Sequence, residues 1–166
     1  WVVLKFGGTS VSNATNWQNV ASVLRARLDE GLRPVLVHSA ISGVTDRLEA
    51  LLAHALDGRH ESLIVQIEER HRELASELRV SGGSELDTHL HDLRQIAAGI
   101  ALVGEVSERT RARVLASGEL MATVLGPGTA AAASGDLDAG FGGAGAIVER
   151  AGVGASGLVV QPDGRP

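Results

Sequence analysis

The chain has 166 residues, of which 44% are hydrophobic and 21% are charged, with two Trp, two Phe, no Cys and a net charge of −5. This length and composition suit one domain with an aliphatic core, as in parallel α/β sheets, and the lack of a Lys/Arg cluster argues against nucleic acid as a partner. The absence of cysteine excludes disulfides, thiol catalysis and zinc–thiolate sites, and no apolar run approaches the ~20 residues of a membrane-spanning helix, so we expect a cytoplasmic protein without a membrane partner.

The first predicted strand runs straight into a lysine and two glycines, so that Lys5 is followed by Phe6, Gly7 and Gly8. An ammonium group beside bare backbone N–H groups suits an anionic phosphoryl group, which makes phosphate chemistry the first hypothesis. The order differs from the Walker A pattern, in which glycines precede the lysine. The alternative interpretation is an ordinary turn after a surface strand.

A βαβ unit occupies about the first 37 residues. Helical spacing of apolar residues predicts a helix over residues 14–30 that ends at Gly31, and Pro34 begins a second strand. The two strands should be parallel. The second strand ends at a turn of small residues that opens another helix, for which Thr45 is the predicted N-cap. Ligands usually bind at this edge of an open α/β sheet.

Three further helices are predicted from the spacing of apolar residues and from capping residues, over residues 45–56, over residues 61–79, and from Ser84 through Ile100. The second and third of these form an inserted α-hairpin. Ser107 is predicted to cap another helix through Val114, and Gly118 allows a break before a segment at 120–125. The run 68–73 and His71 within it are predicted to lie on a solvated face, and the six histidines form no metal site.

From Gly126 onward, about half of the residues are Gly or Ala. Turns are predicted at 126–128 and 142–143, and strands at 146–149 and 158–160.

Three segments in this order, KFGGTSV, VHSAISGVTD and ASGELM, resemble the aspartokinases of the amino-acid kinase family over about residues 1–125. The resemblance implies a three-layer α/β sandwich of the carbamate kinase-like type, with a mainly parallel sheet and an inserted α-hairpin. Residues 1–125 would be the substrate-side part of the catalytic domain, and residues 126–166 a Gly/Ala-rich continuation of that domain. Larger apolar residues normally occupy this continuation in the family.

The resemblance also implies a reaction: ATP and L-aspartate give 4-phospho-L-aspartate and ADP, the first step towards lysine, threonine and methionine. Lys5 would bridge the transferred phosphoryl group, and the nucleotide-binding residues would be Lys5, Phe6, Gly7, Gly8, Thr9 and Ser10. Thr9 and Ser10 either donate to phosphate or cap the next helix. Aspartate would contact Ser39, Ala40, Thr45 and Glu119, with Glu119 binding its α-ammonium. Magnesium would arrive with ATP, and the full-length protein would be a homodimer.

The family's Leu-Gly-Arg-Gly-Gly-Ser-Asp segment and its adenine-binding half do not occur in this sequence. The chain is therefore predicted to be an N-terminal fragment, inactive by itself. Two alternatives stay open. One is a family member that phosphorylates another carboxylate, such as glutamate or acetylglutamate, although Glu119 favours a free ammonium. The other is a non-catalytic binding module that retains the fold.

Overall fold

The structure of the chain is a computed structural model that describes residues 1–80, 83–134, 147–151 and 155–159. Its elements, in chain order, are β1 (Val2–Phe6), a 3-10 turn (Gly8–Val11), α1 (Ala14–Asp29), β2 (Pro34–His38), α2 (Val44–Leu56), α3 (Glu61–Leu78), α4 (Gly83–Val103), α5 (Glu108–Ser134), β3 (Ile147–Ala151) and β4 (Ala155–Val159). The predicted turn at 142–143 lies outside the described residues.

The sheet has the order β1-β2-β4-β3. β1 and β2 are parallel, with Val2 opposite Pro34 and Phe6 opposite His38, which confirms the predicted βαβ unit. β4 pairs antiparallel with both β2 and β3. Because only residues 152–154 separate β3 from β4, the two strands form a hairpin, whereas a parallel crossover needs a dozen or more residues. Among the described strands the sheet is therefore mixed rather than mainly parallel.

The helix starts depend on local capping. Asn13 caps α1 by accepting a hydrogen bond from the Asn16 backbone N–H at 2.8 Å. Ser107 accepts one from the Thr110 N–H at 3.1 Å, as predicted for the start of α5. The predicted cap of α2 by Thr45 is wrong. Gly43, with φ of +80°, occupies the N-cap position, so the helix begins at residue 44 and Thr45 lies within its first turn.

Helix α5 is continuous from Glu108 to Ser134, so neither the break at Gly118 nor the turn at 126–128 occurs. The structure gives both glycines a packing role instead. A Cβ at Gly118 would lie 3.0 Å from the Ala40 Cβ, and one at Gly126 would lie 2.6 Å from Trp17 Cη2. These glycines let the helix lie against its neighbours at short distance, which is a use of glycine that sequence patterns do not separate from helix breaking.

The core is aliphatic, as predicted, and the α-hairpin of α3 and α4 shares it with α2 and α5. Its largest fully buried side chains are Trp17, Leu36, Ile41, Leu48, Leu51, Ile64, Ile67, Leu74, Leu86, Leu90, Leu93 and Met121. No helix in the described part of the chain has the length and apolar character needed to cross a membrane.

Ion pairs join α3 to α4 on the outer surface. Glu68 accepts from Arg94 at 2.7 Å and from Arg72 at 2.7 Å, and Arg72 also bonds Asp87. These bonds from Arg94 and Arg72 lower the pKa of Glu68. The outer face of the run 68–73 is thus solvated and paired, in agreement with the prediction.

His71, in contrast, is fully buried, so the prediction of a solvated His71 is wrong. It lies four residues after Ile67 and three before Leu74, which places it on the apolar face of α3. Its Nδ1–H donates to the Ile67 carbonyl at 2.7 Å. Burial lowers the pKa of His71 to about 4, and burial also lowers the pKa of His38.

The stability of the fold should therefore depend on pH. Below the ordinary histidine pKa of about 6.5, the unfolded chain binds protons that the folded chain does not. The free energy of unfolding should rise with pH between about 4 and 6.5, with His71 contributing on the order of 3 kcal/mol across that window. Urea unfolding of the chain at pH 5 and 7.5 measures this. His71→Leu should reduce the pH dependence, whereas His91→Leu, at an exposed position of α4, should not. Equal pH dependence in all three proteins would contradict the assignment.

Candidate active site

Two turns leave the same edge of the sheet. Because β1 and β2 are parallel and in register, they end side by side at Phe6 and His38. The first turn, residues 7–12, follows β1, and the second turn, residues 39–43, follows β2. The Ser39 N–H donates to the Phe6 carbonyl at 3.1 Å, which extends the ladder one residue past the strands. The structure thus brings the predicted phosphate-binding and aspartate-binding segments together.

The two glycines of the first turn have different surroundings. A Cβ at Gly8 would lie 2.6 Å from the Ala40 carbonyl oxygen, so only glycine allows this approach of the two turns. At Gly7, apart from its two neighbours in the chain, no heavy atom of the described residues lies within 4 Å of the corresponding position, and its φ is −77°. Neither glycine has a positive φ, so neither is needed for a left-handed turn, and only Gly8 is required for a close approach.

Ser12 links the two turns, a role that no sequence pattern predicted. Its hydroxyl donates to the Gly8 carbonyl at 2.5 Å and accepts from the Ser42 N–H at 2.9 Å. The Arg70 guanidinium, from α3, donates to the Ser12 carbonyl. Arg70 belongs to the run predicted to be solvated, yet it is directed at the first turn. No pattern in the sequence distinguishes Ser12 from a solvent-exposed serine.

Thr9 and Ser10 do not cap α1, because Asn13 does. They lie in the 3-10 turn that the Ser10 N–H closes by donating to the Gly7 carbonyl at 2.9 Å. The Asn16 side-chain amide donates to the Thr9 carbonyl at 2.8 Å and fixes the turn against α1. The helix-capping alternative for the two hydroxyls is therefore excluded.

Glu119 lies beside the second turn because of Gly118, which packs against Ala40 and Leu48. It is half-buried in the middle of α5, so the interpretation of Glu119 as a residue at a helix start is wrong. The helix macrodipole acts only near helix ends and gives this carboxylate no stabilisation. Its backbone carbonyl accepts from the Thr123 hydroxyl at 2.8 Å.

The side chains of Lys5 and Thr45 are exposed, and Ala40 is buried. Lys5 is the only lysine of the chain and lies on β1 next to the first turn. Within the described part of the chain, neither Lys5 nor Glu119 takes part in an ion pair. The described residues thus provide no ion-pair partner for either side chain.

A buried cluster lies next to the end of β2 and consists of His38, Trp17 and Thr123. The His38 and Trp17 rings meet edge to face, with centroids 5.7 Å apart, and His38 Nε2 lies 3.4 Å from the Thr123 hydroxyl. The Trp17 indole N–H donates to the Val11 carbonyl at 3.0 Å. The lowered pKa of His38, caused mainly by burial, favours a neutral ring. The inward alternation of residues 34, 36 and 38 is the sequence signal that predicts a buried His38.

Comparisons with known proteins show the family to which this chain belongs. The family model for the amino acid kinase family matches residues 1–150, so the chain belongs to the amino acid kinase family. Among its relatives, chloroplastic aspartokinase 2 of Arabidopsis thaliana is 34% identical over 128 residues, which cover 74% of this chain and 23% of the relative. Aspartokinase of Chlamydia muridarum is 31% identical over 75% of this chain and 26% of its own length.

Solved structures confirm the fold. The structure of E. coli aspartokinase III in complex with aspartate and ADP superposes with a TM-score of 0.65 and 27% identity, over 76% of this chain and 28% of that one. The same enzyme in complex with lysine and aspartate gives a TM-score of 0.61. The chain therefore has the amino-acid kinase fold, and it spans about a quarter of the length of these aspartokinases.

Because Gly7 and Gly8 have different surroundings, replacing each with alanine should change the free energy of unfolding by different amounts. Gly8→Ala should push the two turns apart and destabilise the fold by roughly 1–3 kcal/mol, as other overpacking substitutions do. Gly7→Ala should change stability by about 0.5 kcal/mol or less, because its backbone suits alanine and its Cβ meets open space. Thermal unfolding of the two variants compares them directly. An equal loss of stability in both would show that the close contact at Ala40 does not exist.

Proposed function

We propose that this chain forms the substrate side of an aspartate kinase, which transfers the γ-phosphoryl group of ATP to the side-chain carboxylate of aspartate. The observation that carries the proposal is the convergence of the two turns and Glu119 at one edge of the sheet. The identity to aspartokinases supports it. Because the chain spans about a quarter of those relatives, the activity is proposed for the full-length protein that contains it.

Lys5 would supply positive charge to the phosphoryl group. In phosphoryl transfer, negative charge is spread over the phosphate oxygens, and catalysis consists mainly of positioning and charge stabilisation. The ammonium of Lys5 is exposed, and the Gly7 backbone beside it meets open space, so phosphate oxygens can approach both. Phe6, Gly8, Thr9 and Ser10 would complete the nucleotide side. Magnesium would come with ATP and be held mainly by its phosphates.

Glu119 would bind the α-ammonium of aspartate. A half-buried carboxylate without an ion pair among the described residues suits a cationic group of the substrate. Ser39, Ala40 and Thr45 of the second turn and the start of α2 would flank the same molecule. The reacting carboxylate is ionised at neutral pH, so its attack on phosphorus needs no general base. A cytoplasmic location and a homodimer stay predictions.

The role of Lys5 can be tested in the full-length protein by a coupled assay of aspartate-dependent ADP release. Lys5→Ala should lower kcat by at least ~100-fold, a loss typical for removal of a group that stabilises transition-state charge. Lys5→Arg keeps the positive charge and should retain more activity than the alanine variant. Near-native kcat in Lys5→Ala would exclude the proposed role.

A second test concerns Glu119. Glu119→Gln keeps the side-chain volume and removes the charge, so it should raise the aspartate KM more than ~10-fold and leave the ATP KM nearly unchanged. Thr45→Val should raise the aspartate KM less, because only a hydroxyl is lost. Steady-state kinetics with each substrate varied in turn measures both. If Glu119→Gln lowers the melting temperature and leaves the aspartate KM as it was, Glu119 has a structural role only.

A further inference from the structure

Ser12 lies at the end of the first turn and is not one of the proposed substrate ligands. Its hydroxyl bonds the Gly8 carbonyl in the first turn and the Ser42 N–H in the second, at 2.5 and 2.9 Å. We propose that Ser12 is a positioning residue: these two bonds, here called the Ser12 bridge, set the distance between the phosphate-binding and amino-acid-binding turns. This inference rests on the proposed function.

The Ser12 bridge uses both hydrogen-bonding capacities of one hydroxyl. The hydroxyl proton is directed to Gly8, which leaves an oxygen lone pair for the Ser42 N–H. The two partners are 34 residues apart in the chain, so the bridge fixes segments that have no local connection. It acts beside the Ser39–Phe6 hydrogen bond and the close approach of Gly8 to Ala40. Three contacts of this kind define the relative position of the turns.

Helix α3 holds the backbone from which the Ser12 bridge extends. Arg70 donates to the Ser12 carbonyl, and the Glu77 carboxylate accepts from the Ala14 N–H at 3.1 Å. Residues 12–14 are thus attached to α3 on one side while the Ser12 hydroxyl reaches the turns on the other. The inserted α-hairpin therefore provides an anchor for the site, although none of its residues is a proposed substrate ligand.

Loss of the Ser12 bridge should lower the rate of phosphoryl transfer and should not weaken substrate binding. Each turn keeps its own proposed ligand contacts when the bridge is removed, so each substrate should still bind. Phosphoryl transfer, however, requires the attacking oxygen and the phosphorus atom to be close and aligned, and a displacement of about 1 Å can cost ~100-fold in rate.

The test uses Ser12→Ala in the full-length protein. We expect kcat to fall at least ~10-fold while both KM values change less than about threefold, since only alignment is disturbed. Ser12→Thr retains a hydroxyl and should recover most of the rate. Ser22→Ala is the matched control, because the Ser22 hydroxyl bonds the Gln18 carbonyl at 2.9 Å on the exposed side of α1, away from both turns. It should leave kcat unchanged.

A second measurement detects the Ser12 bridge independently of activity. Amide hydrogen exchange at Ser42 should be at least about fivefold faster in Ser12→Ala than in the unmodified protein, and unchanged in Ser22→Ala. If the unmodified protein shows no aspartate-dependent ADP release, the proposed function fails, and the alignment role falls with it. If the protein is active but Ser12→Ala keeps kcat within twofold, or loses only substrate affinity, the positioning role is overturned and the proposed function stands.

Discussion

The parallel register of β1 and β2 is the constraint on which the site depends. Because the two strands end level with one another at Phe6 and His38, two chain segments more than thirty residues apart begin their turns side by side. A shift of one residue would turn Leu36 and His38 away from the core and would separate Gly8 from Ala40. The buried contact between His38 and Trp17 opposes such a shift, since it places the end of β2 against α1.

Glycine at three positions allows neighbouring elements to pack closely around these two strands. Because these residues lack a Cβ, other groups can approach them closely. The Ala40 carbonyl lies against Gly8, the Ala40 and Leu48 side chains lie against Gly118, and the Trp17 ring lies against Gly126. The first contact involves the first turn, and the other two involve two segments of α5. The position of Glu119 follows from the second of them. A Cβ at any of the three sites would have to displace a neighbour that belongs to the core or the backbone.

Sequence reasoning reached the elements that depend on local patterns. The alternation and helical spacing of apolar residues predicted β1, α1, β2 and the α-hairpin, and Ser107 was recognised as a cap. It failed where long-range packing decided the outcome: α5 passes through Gly118 and Gly126, and His71 is buried. The segments KFGGTSV, VHSAISGVTD and ASGELM led to the candidate site through a resemblance. Ser12 and Arg70 were missed because their partners are distant in the chain.

The groups that connect the elements at this edge of the sheet are mostly neutral. The Ser12 hydroxyl, the Ser39 N–H, the Thr123 hydroxyl and the His38 ring connect the elements without adding charge; burial favours the neutral form of His38. Arg70 is the exception, and its guanidinium donates to the Ser12 backbone carbonyl. A framework of this kind does not compensate the charges of Lys5 and Glu119. If the full-length protein acts as proposed, two uncompensated charges of opposite sign would attract the phosphoryl group and the substrate ammonium to separate points. The residues that fix the geometry of the two turns thus leave Lys5 and Glu119 without an ion-pair partner in the part of the chain that the structure describes.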